Sequence, residues 1–447
     1  MDDDNLDTRL LRHAIYVVLI VIALANAVGH IGSIRAADRR TPFLSANDRS
    51  RWSTISALVD YGTYEIDQVR RRPGWKSIDM VRHTGRDGKK HYYSSKPTLF
   101  PTMLAGQYAV IKAVTGANLE SNTFGVARVI LVITNVLPFA AFLWLMTCWV
   151  ERHGETDFGR IFVVAAACFG TLLSPFVLTL NNHLPAAICA FLTMLGVLRI
   201  WEDEEAPGWV FAGTGLAAAF TAANELPALS LLVLTTCALL WLQPRRTCIF
   251  YLPAVALVAI PFFVTTYIAH GSLRPPYAHR DPSDNWYDYP GSHWTAPRTG
   301  VDAGEPSRGK YLLHALIGHH GFFSLTPIWL LSAFGAGTLL TRRELSRRYL
   351  GAVTLGLWLV CVVFYTMLRP EIDRNYGGVA CGFRWLFWLI PFWLMSLVPA
   401  ADWVAESRWR RTIALCLLAA AAFSAALPTA NPWSHPWPYL LWVGSGR

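Results

Sequence analysis

Residues 14–34 read AIYVVLIVIALANAVGHIGSI, an unbroken stretch without Asp, Glu, Lys or Arg. A helix of about 20 apolar residues matches the hydrocarbon core of a bilayer. The run exceeds the apolar core of a cleaved signal, and no small-residue cleavage site clearly follows, so it reads as a first membrane span. Ten further apolar segments repeat the signal: 124–150, 161–180, 184–200, 209–223, 226–242, 249–269, 322–340, 350–368, 383–398 and 412–427. The expected fold is therefore an all-α polytopic membrane protein of about eleven transmembrane helices. The Asn224–Glu225 pair and Pro227 divide a stretch too long for one crossing, as Asn181-Asn182-His183 does earlier, so both read as tight helical hairpins.

Composition agrees. Of 447 residues, 53% are hydrophobic and 15% charged, with a mean hydropathy of +0.32. Soluble proteins carry roughly 25% charged residues. Disorder, a small disulfide scaffold and a nucleic-acid-binding module are excluded, despite a formal charge of +9. The eight cysteines form no CxxC pair, so neither disulfides nor a cysteine metal site is expected. No phosphate-binding loop, dinucleotide fingerprint, zincin helix or internal repeat is present.

Short basic connections set orientation. Arg245–Arg246, the run Arg342 to Arg348, and Arg408 to Arg411 are separated by even numbers of spans and fall on one side, the cytoplasm. The N-terminus is then cytoplasmic and the tail from 430 to 447 external. This count requires that 99–114, which contains Pro101, Gln107 and Lys112, lies at the outer surface. Three parts follow: residues 1–269, a transmembrane module with a first outer loop at 35–98 and an interfacial helix at 99–114; residues 270–321, a second outer loop; and residues 322–447, the remaining spans and the tail. The first loop holds 14 Lys/Arg against 7 Asp/Glu. Such a basic surface beside a bilayer suits anionic headgroups or a lipid phosphate, or is simply a solvated loop.

Within that loop stand Asn47-Asp48-Arg49-Ser50-Arg51-Trp52 and, later, Tyr92-Tyr93-Ser94-Ser95-Lys96-Pro97. An acid can take a proton from an attacking hydroxyl, and an ammonium can neutralise a departing phosphate. This arrangement resembles the GT-C superfamily of membrane glycosyltransferases, in particular the branch of aminoarabinose transferase and the protein O-mannosyltransferases. Asp48 to Trp52 is similar to an Asp-Glu-x-Arg-Tyr run at the start of the first outer loop. Lys96-Pro97-Thr98 is similar to Lys-Pro-Pro, Arg128 to an arginine opening the next span, and Ser174-Pro175 to a Ser-Pro of the third span. Arg49 replaces the second acid, Thr98 the second proline, and Asn181-Asn182-His183 stands where the family often places an acid.

The resemblance implies inverting transfer of a hexosyl or pentosyl group from a polyprenyl-phosphate sugar, at the outer face of a bacterial cytoplasmic membrane. The acceptor would be a lipid, glycan or protein; membrane lipids are partners and nucleic acid is not. No cofactor is required and a divalent metal stays open. Asp48 is the candidate base, or the N-cap of a helix beginning near Arg49. Lys96 would hold the lipid phosphate, or snorkel at the interface. Arg51 and Arg128 would assist, or serve as ion pairs and anchors, and Tyr93 would touch substrate. Glu225, Asn182 and His183 would line the cavity, or form polar hairpin tips. Arg384, after the Gly377–Gly378 turn, would reach a phosphate or anchor the next span.

The second loop, with Tyr277, His279, Trp286, Tyr287, Tyr289, His293 and Trp294, suits carbohydrate packing or an aromatic interface belt. His319-His320 is a poor chelate because adjacent side chains diverge. A flippase or transporter of a lipid-linked or amphiphilic substrate is the alternative to an enzyme.

Overall fold

The computed structural model describes residues 3–444 except 296, so the last three residues of the expected outer tail lie outside the described residues. In chain order, α1 (Asp3–Ser33) leads into the first loop. There α2 (Ala46–Tyr61), an antiparallel hairpin of β1 (Met80–Thr84) and β2 (Lys90–Ser94), and α3 (Leu99–Thr115) pack together. Next come α4 (Thr123–His153), α5 (Asp157–Phe169), α6 (His183–Glu202), α7 (Gly208–Asn224), α8 (Leu226–Leu242) and α9 (Pro244–His270). The second loop carries α10 (Arg308–Leu316). The chain continues through α11 (Trp329–Leu340), α12 (Leu345–Leu368), α13 (Arg384–Ala405), α14 (Arg408–Thr429) and α15 (Trp437–Gly444).

Each of the eleven apolar segments is helical over most of its length, and seven helices among the described residues are long and apolar enough to cross a bilayer: α1, α4, α6, α9, α12, α13 and α14. The others are shorter. The expected span 161–180 stops at Phe169, and Ser174–Leu178 continues only as a 3-10 turn. The α-helix closes at Gly170, and Pro175 stands in the first turn of the 3-10 segment that follows. The expected span 322–340 is split at Thr326-Pro327, where Pro327 lacks the N–H that would continue the helix, leaving the 12-residue α11. The described residues are predominantly helical with little sheet, consistent with an all-α polytopic membrane protein; the short β1–β2 hairpin lies in the first loop, outside the bundle.

α13 is the centre of the bundle, packed by α5, α6, α11, α12 and α14. Its Trp393 meets Phe322 at 4.8 Å and stands within a ring cluster that includes Trp329 and Trp358. At the end of the bundle away from the first loop, Glu151 accepts from Arg12 Nε at 2.6 Å and from the Tyr16 hydroxyl at 2.7 Å, while Arg12 also pairs with Asp157. These bonds fasten α1, α4 and α5 together.

At the opposite end the first loop is a folded unit. Ser45 caps α2 in a reciprocal capping box with Asp48: the Asp48 N–H donates to Ser45 Oγ at 3.1 Å, and the Ser45 N–H donates to Asp48 Oδ1 at 3.1 Å. The cap, worth about 1 kcal/mol, is therefore Ser45, and the helix begins at Ala46 rather than near Arg49. Gly62 closes α2 at φ +68°, a left-handed position that costs glycine little. Trp52 is buried and stacked on Phe43 at 5.3 Å. Ser50 Oγ donates to the Asp79 carbonyl at 2.5 Å and lies 2.6 Å from Ser94 Oγ, tying α2 to the open end of the hairpin, where β1 starts and β2 finishes.

Candidate active site

A cavity of about 530 Å³ opens where the first loop, the α6 and α7–α8 tips, the second loop and the turn before α13 meet. Among the described residues seven cationic side chains line it, Arg49, Arg51, Lys96, Arg280, Arg298, Arg369 and Arg384, against the carboxylates Asp79, Glu225, Asp302 and Asp373. The excess of positive charge suits an anionic ligand.

The hairpin register sets the first pair. Met80 faces Ser94, so Asp79 lies beside Ser95–Lys96, and Lys96 Nζ is 2.9 Å from Asp79 Oδ2. Burial pushes the Lys96 ammonium down to about 8, helped by Arg51 and Arg384 and opposed by Asp79. Burial would raise the Asp79 carboxyl, but Lys96, Arg384 and Arg51 outweigh it and hold it below the usual range. Arg51 is pushed down to about 10, mainly by burial.

The helix tips supply a connected chain. Arg51 Nη2 donates to Asn182 Oδ1 at 2.6 Å and its Nη1 bonds Asn47. Asn182 Nδ2 donates to Glu225 Oε1 at 2.7 Å, and His183 Nδ1 is 2.5 Å from the same oxygen. Arg384 Nη1 lies 3.0 Å from His183 Nε2. Arginine can only donate, so Nε2 accepts, the imidazole proton sits on Nδ1, and Nδ1 donates to Glu225. Both bonds to Glu225 fall on Oε1; its Oε2 takes none among the described residues. Arg384 Nε also donates to the Gly377 carbonyl at 2.6 Å, and its guanidinium lies 5.0 Å from the Trp433 ring. Gly377 and Gly378, at φ +94° and +78°, allow that turn to close on Arg384.

Of the residues singled out from sequence, Arg51, Lys96, Asn182, His183, Glu225 and Arg384 line this one cavity. Three do not. Asp48 is buried beneath it: Oδ2 accepts from the Leu44 N–H at 2.9 Å and the Thr179 hydroxyl at 2.6 Å, and Oδ1 accepts from Ser45. Burial pushes its carboxyl up to about 6 against those three bonds. In this geometry both Asp48 oxygens are engaged by protein donors and the residue does not line the cavity. Arg128 donates from Nε to the Ile31 carbonyl at 3.2 Å and covers Phe124, anchoring α4 to α1. Tyr93 is buried against His83 at 4.2 Å, its hydroxyl 3.4 Å from Glu65.

Sequence reasoning missed Asp79, although Asp87-Gly88 between two β-prone runs is a hairpin signal that would have placed it opposite the Lys96 strand. It also missed Arg280, Arg298, Arg369 and Trp433, which arrive from distant segments. Of the second-loop rings, Tyr277, Tyr287 and Trp294 line the cavity. His319 and His320 face each other with Nδ1 atoms 2.5 Å apart, outside it.

Among the described residues no three carboxylate or imidazole groups of the cavity bring ligand atoms within 4.8 Å of one another, so it is a poor fit for a divalent ion, and each carboxylate already has a partner. Asp79 is held by Lys96, Asp373 by Arg369 at 2.9 Å and Arg280 at 3.3 Å, Asp302 by His293 at 3.4 Å, and Glu225 by His183. The one group of three potential metal ligands among the described residues, Glu65, Asp67 and His91, lies elsewhere.

No family model and no curated protein matches the chain. Among solved structures, 94% of it is similar in backbone course to the Archaeoglobus fulgidus oligosaccharyltransferase in the apo form, at 11% identity and a TM-score of 0.48. It is likewise similar to archaeal oligosaccharyltransferase AglB from Archaeoglobus fulgidus in complex with an inhibitory peptide and a dolichol-phosphate, at 11% identity and a TM-score of 0.45. In both cases the chain spans 56% of the other protein's length.

Proposed function

We propose that the protein is an inverting glycosyltransferase that uses a polyprenyl-phosphate sugar at the extracytoplasmic face of a membrane. The observation that carries this is the convergence of Lys96, Arg51 and Arg384 with Glu225 in one cavity that adjoins an apolar groove. The groove runs between α8 and α12, lined by Leu229, Val233, Tyr349, Val353, Leu357 and Val360. Leu226 and Phe364, at the cavity wall, lie within about one helical turn of Leu229 and Val360. A cationic pocket at the head of an apolar channel is complementary to a phosphate on a long hydrocarbon chain.

In the proposed step the acceptor hydroxyl oxygen bonds to the anomeric carbon from the side opposite the phosphate. The bond from that carbon to the phosphate oxygen breaks, and the hydroxyl proton passes to Glu225 Oε2. His183 and Asn182 hold the other carboxylate oxygen and so aim Oε2. The lipid phosphate leaves as an anion against Lys96, with Arg51 and Arg384 behind it. Asp79 positions the ammonium. The acceptor class, the sugar and its hexosyl or pentosyl character belong to the experiment.

That experiment is transfer of radiolabelled sugar from a panel of polyprenyl-phosphate donors in vesicles containing the purified protein. Transfer with inversion supports the proposal. Binding and translocation of the lipid without transfer from any donor would replace it with the flippase reading.

A further inference from the structure

The far end of the β1–β2 hairpin carries a second constellation that the proposed reaction does not use. Ile66 donates its N–H to the Tyr92 carbonyl at 2.8 Å, laying the segment 65–67 along β2 and flanking a buried Ile66 with two acids. Glu65 Oε2 and Asp67 Oδ2 lie 3.4 and 3.1 Å from the same atom, His91 Nδ1. All three ligand atoms lie within 4.8 Å of one another. Neighbouring ligands on a tetrahedral or octahedral ion with bonds of about 2.0–2.1 Å stand roughly 3.0–3.4 Å apart, so the two His91 distances already match such an edge. On its other side, His91 Nε2 faces both Asp87 oxygens at 3.1 Å. A carboxylate behind an imidazole is the outer partner that fixes ring orientation in metal sites. None of the four residues lines the cavity.

We propose that Glu65, Asp67 and His91 bind a divalent cation, with water completing its shell. Two carboxylates and one imidazole form a mixed oxygen–nitrogen set that suits Mn²⁺ or Zn²⁺. The ion neutralises the two acids and ties the segment 65–67 to β2. Since β1 and β2 begin and end beside Asp79 and Lys96, the ion clamps the hairpin that presents this pair to the cavity. It is a structural ion, separate from the reaction.

The test is titration of the purified full chain in lipid nanodiscs with MnCl2, reading free Mn²⁺ by electron paramagnetic resonance, repeated with ZnCl2 by calorimetry. One ion per chain is expected. Asp67→Asn and His91→Gln each abolish saturable binding, Asp87→Asn weakens it by about ten- to a hundredfold, and Glu225→Gln leaves it unchanged. Absence of saturable binding to the wild type, or binding that survives both Asp67→Asn and His91→Gln, overturns the site and shows an ion-paired histidine only. Binding lost in Glu225→Gln alone would move the ion to the cavity and equally overturn it. Size-exclusion profile and tryptophan emission check folding; Glu65→Gln substitutes for any variant that does not fold.

Discussion

Replacing Asp48 with asparagine, alongside Glu225→Gln, tests the proposed division between a structural carboxylate and a reactive one. Asp48 takes two backbone N–H groups and one hydroxyl on two oxygens, whereas asparagine offers one oxygen and one donor amide. Whichever way the amide turns, a buried donor faces another donor, at a cost of about 1–3 kcal/mol. Asp48→Ala leaves all three donors unpaired and removes the capping box, which raises the cost to roughly 3–6 kcal/mol. The pH dependence carries a second signature. The folded-state carboxyl is raised to about 6, so the folded protein binds this proton more tightly than the unfolded chain. The wild type therefore gains stability as pH falls through about 6, and Asp48→Asn lacks that gain. Unfolding midpoints of the detergent-solubilised protein, followed by tryptophan fluorescence across pH 4–8, read both effects. Glu225→Gln keeps the bonds from Asn182 and His183 but cannot take a proton; transfer should fall by about 10²- to 10⁴-fold with donor binding retained. An Asp48→Asn protein with a wild-type midpoint and no transfer, beside an active Glu225→Gln protein, would refute this division of roles.

Lys96 must be charged to hold a phosphate, and its ammonium is pushed down to about 8, so kcat/KM should decline as pH rises past about 8. Lys96→Arg should move that limb to higher pH, read in a pH–rate profile. Val360→Trp fills the groove between α8 and α12 and should raise KM for long-chain donors while sparing short-chain water-soluble analogues. Trp433→Leu removes the ring under Arg384 and its indole bond to Thr179, 3.2 Å long. The lost cation–π contact is worth about 0.5–2 kcal/mol, which should appear as a two- to thirtyfold weaker donor affinity.

The helical segments were legible because apolar length is a local property of the chain. Burial was not. α13 has the lowest mean hydropathy of the seven long helices, 1.4, yet its window is 83% buried, whereas α1, at 2.3, is 22% buried. A helix facing lipid must be apolar all round its exposed surface, while one enclosed by protein has neighbours for its polar groups. Backbone chemistry was also hidden from hydropathy: the apolar run continues through Pro327, whose missing N–H ends the helix before it.

The site divides in the same way. Helix tips and loop cations announced themselves as polar residues bounding apolar runs, and six of them do meet in the cavity: Arg51, Lys96, Asn182, His183, Glu225 and Arg384. The chain by itself determined a membrane class, its apolar helices and the stock of charge available between them. Only the tertiary structure decided which acid faces the cations. Asp48 and Asp79 are both loop aspartates near basic residues, but hydrogen bonds from Leu44, Ser45 and Thr179 turn the first inward, and the β1–β2 register turns the second toward Lys96. Side-chain direction depends on partners more than a hundred positions away, such as Thr179 and Trp433, and those partners are neighbours only once the chain has folded.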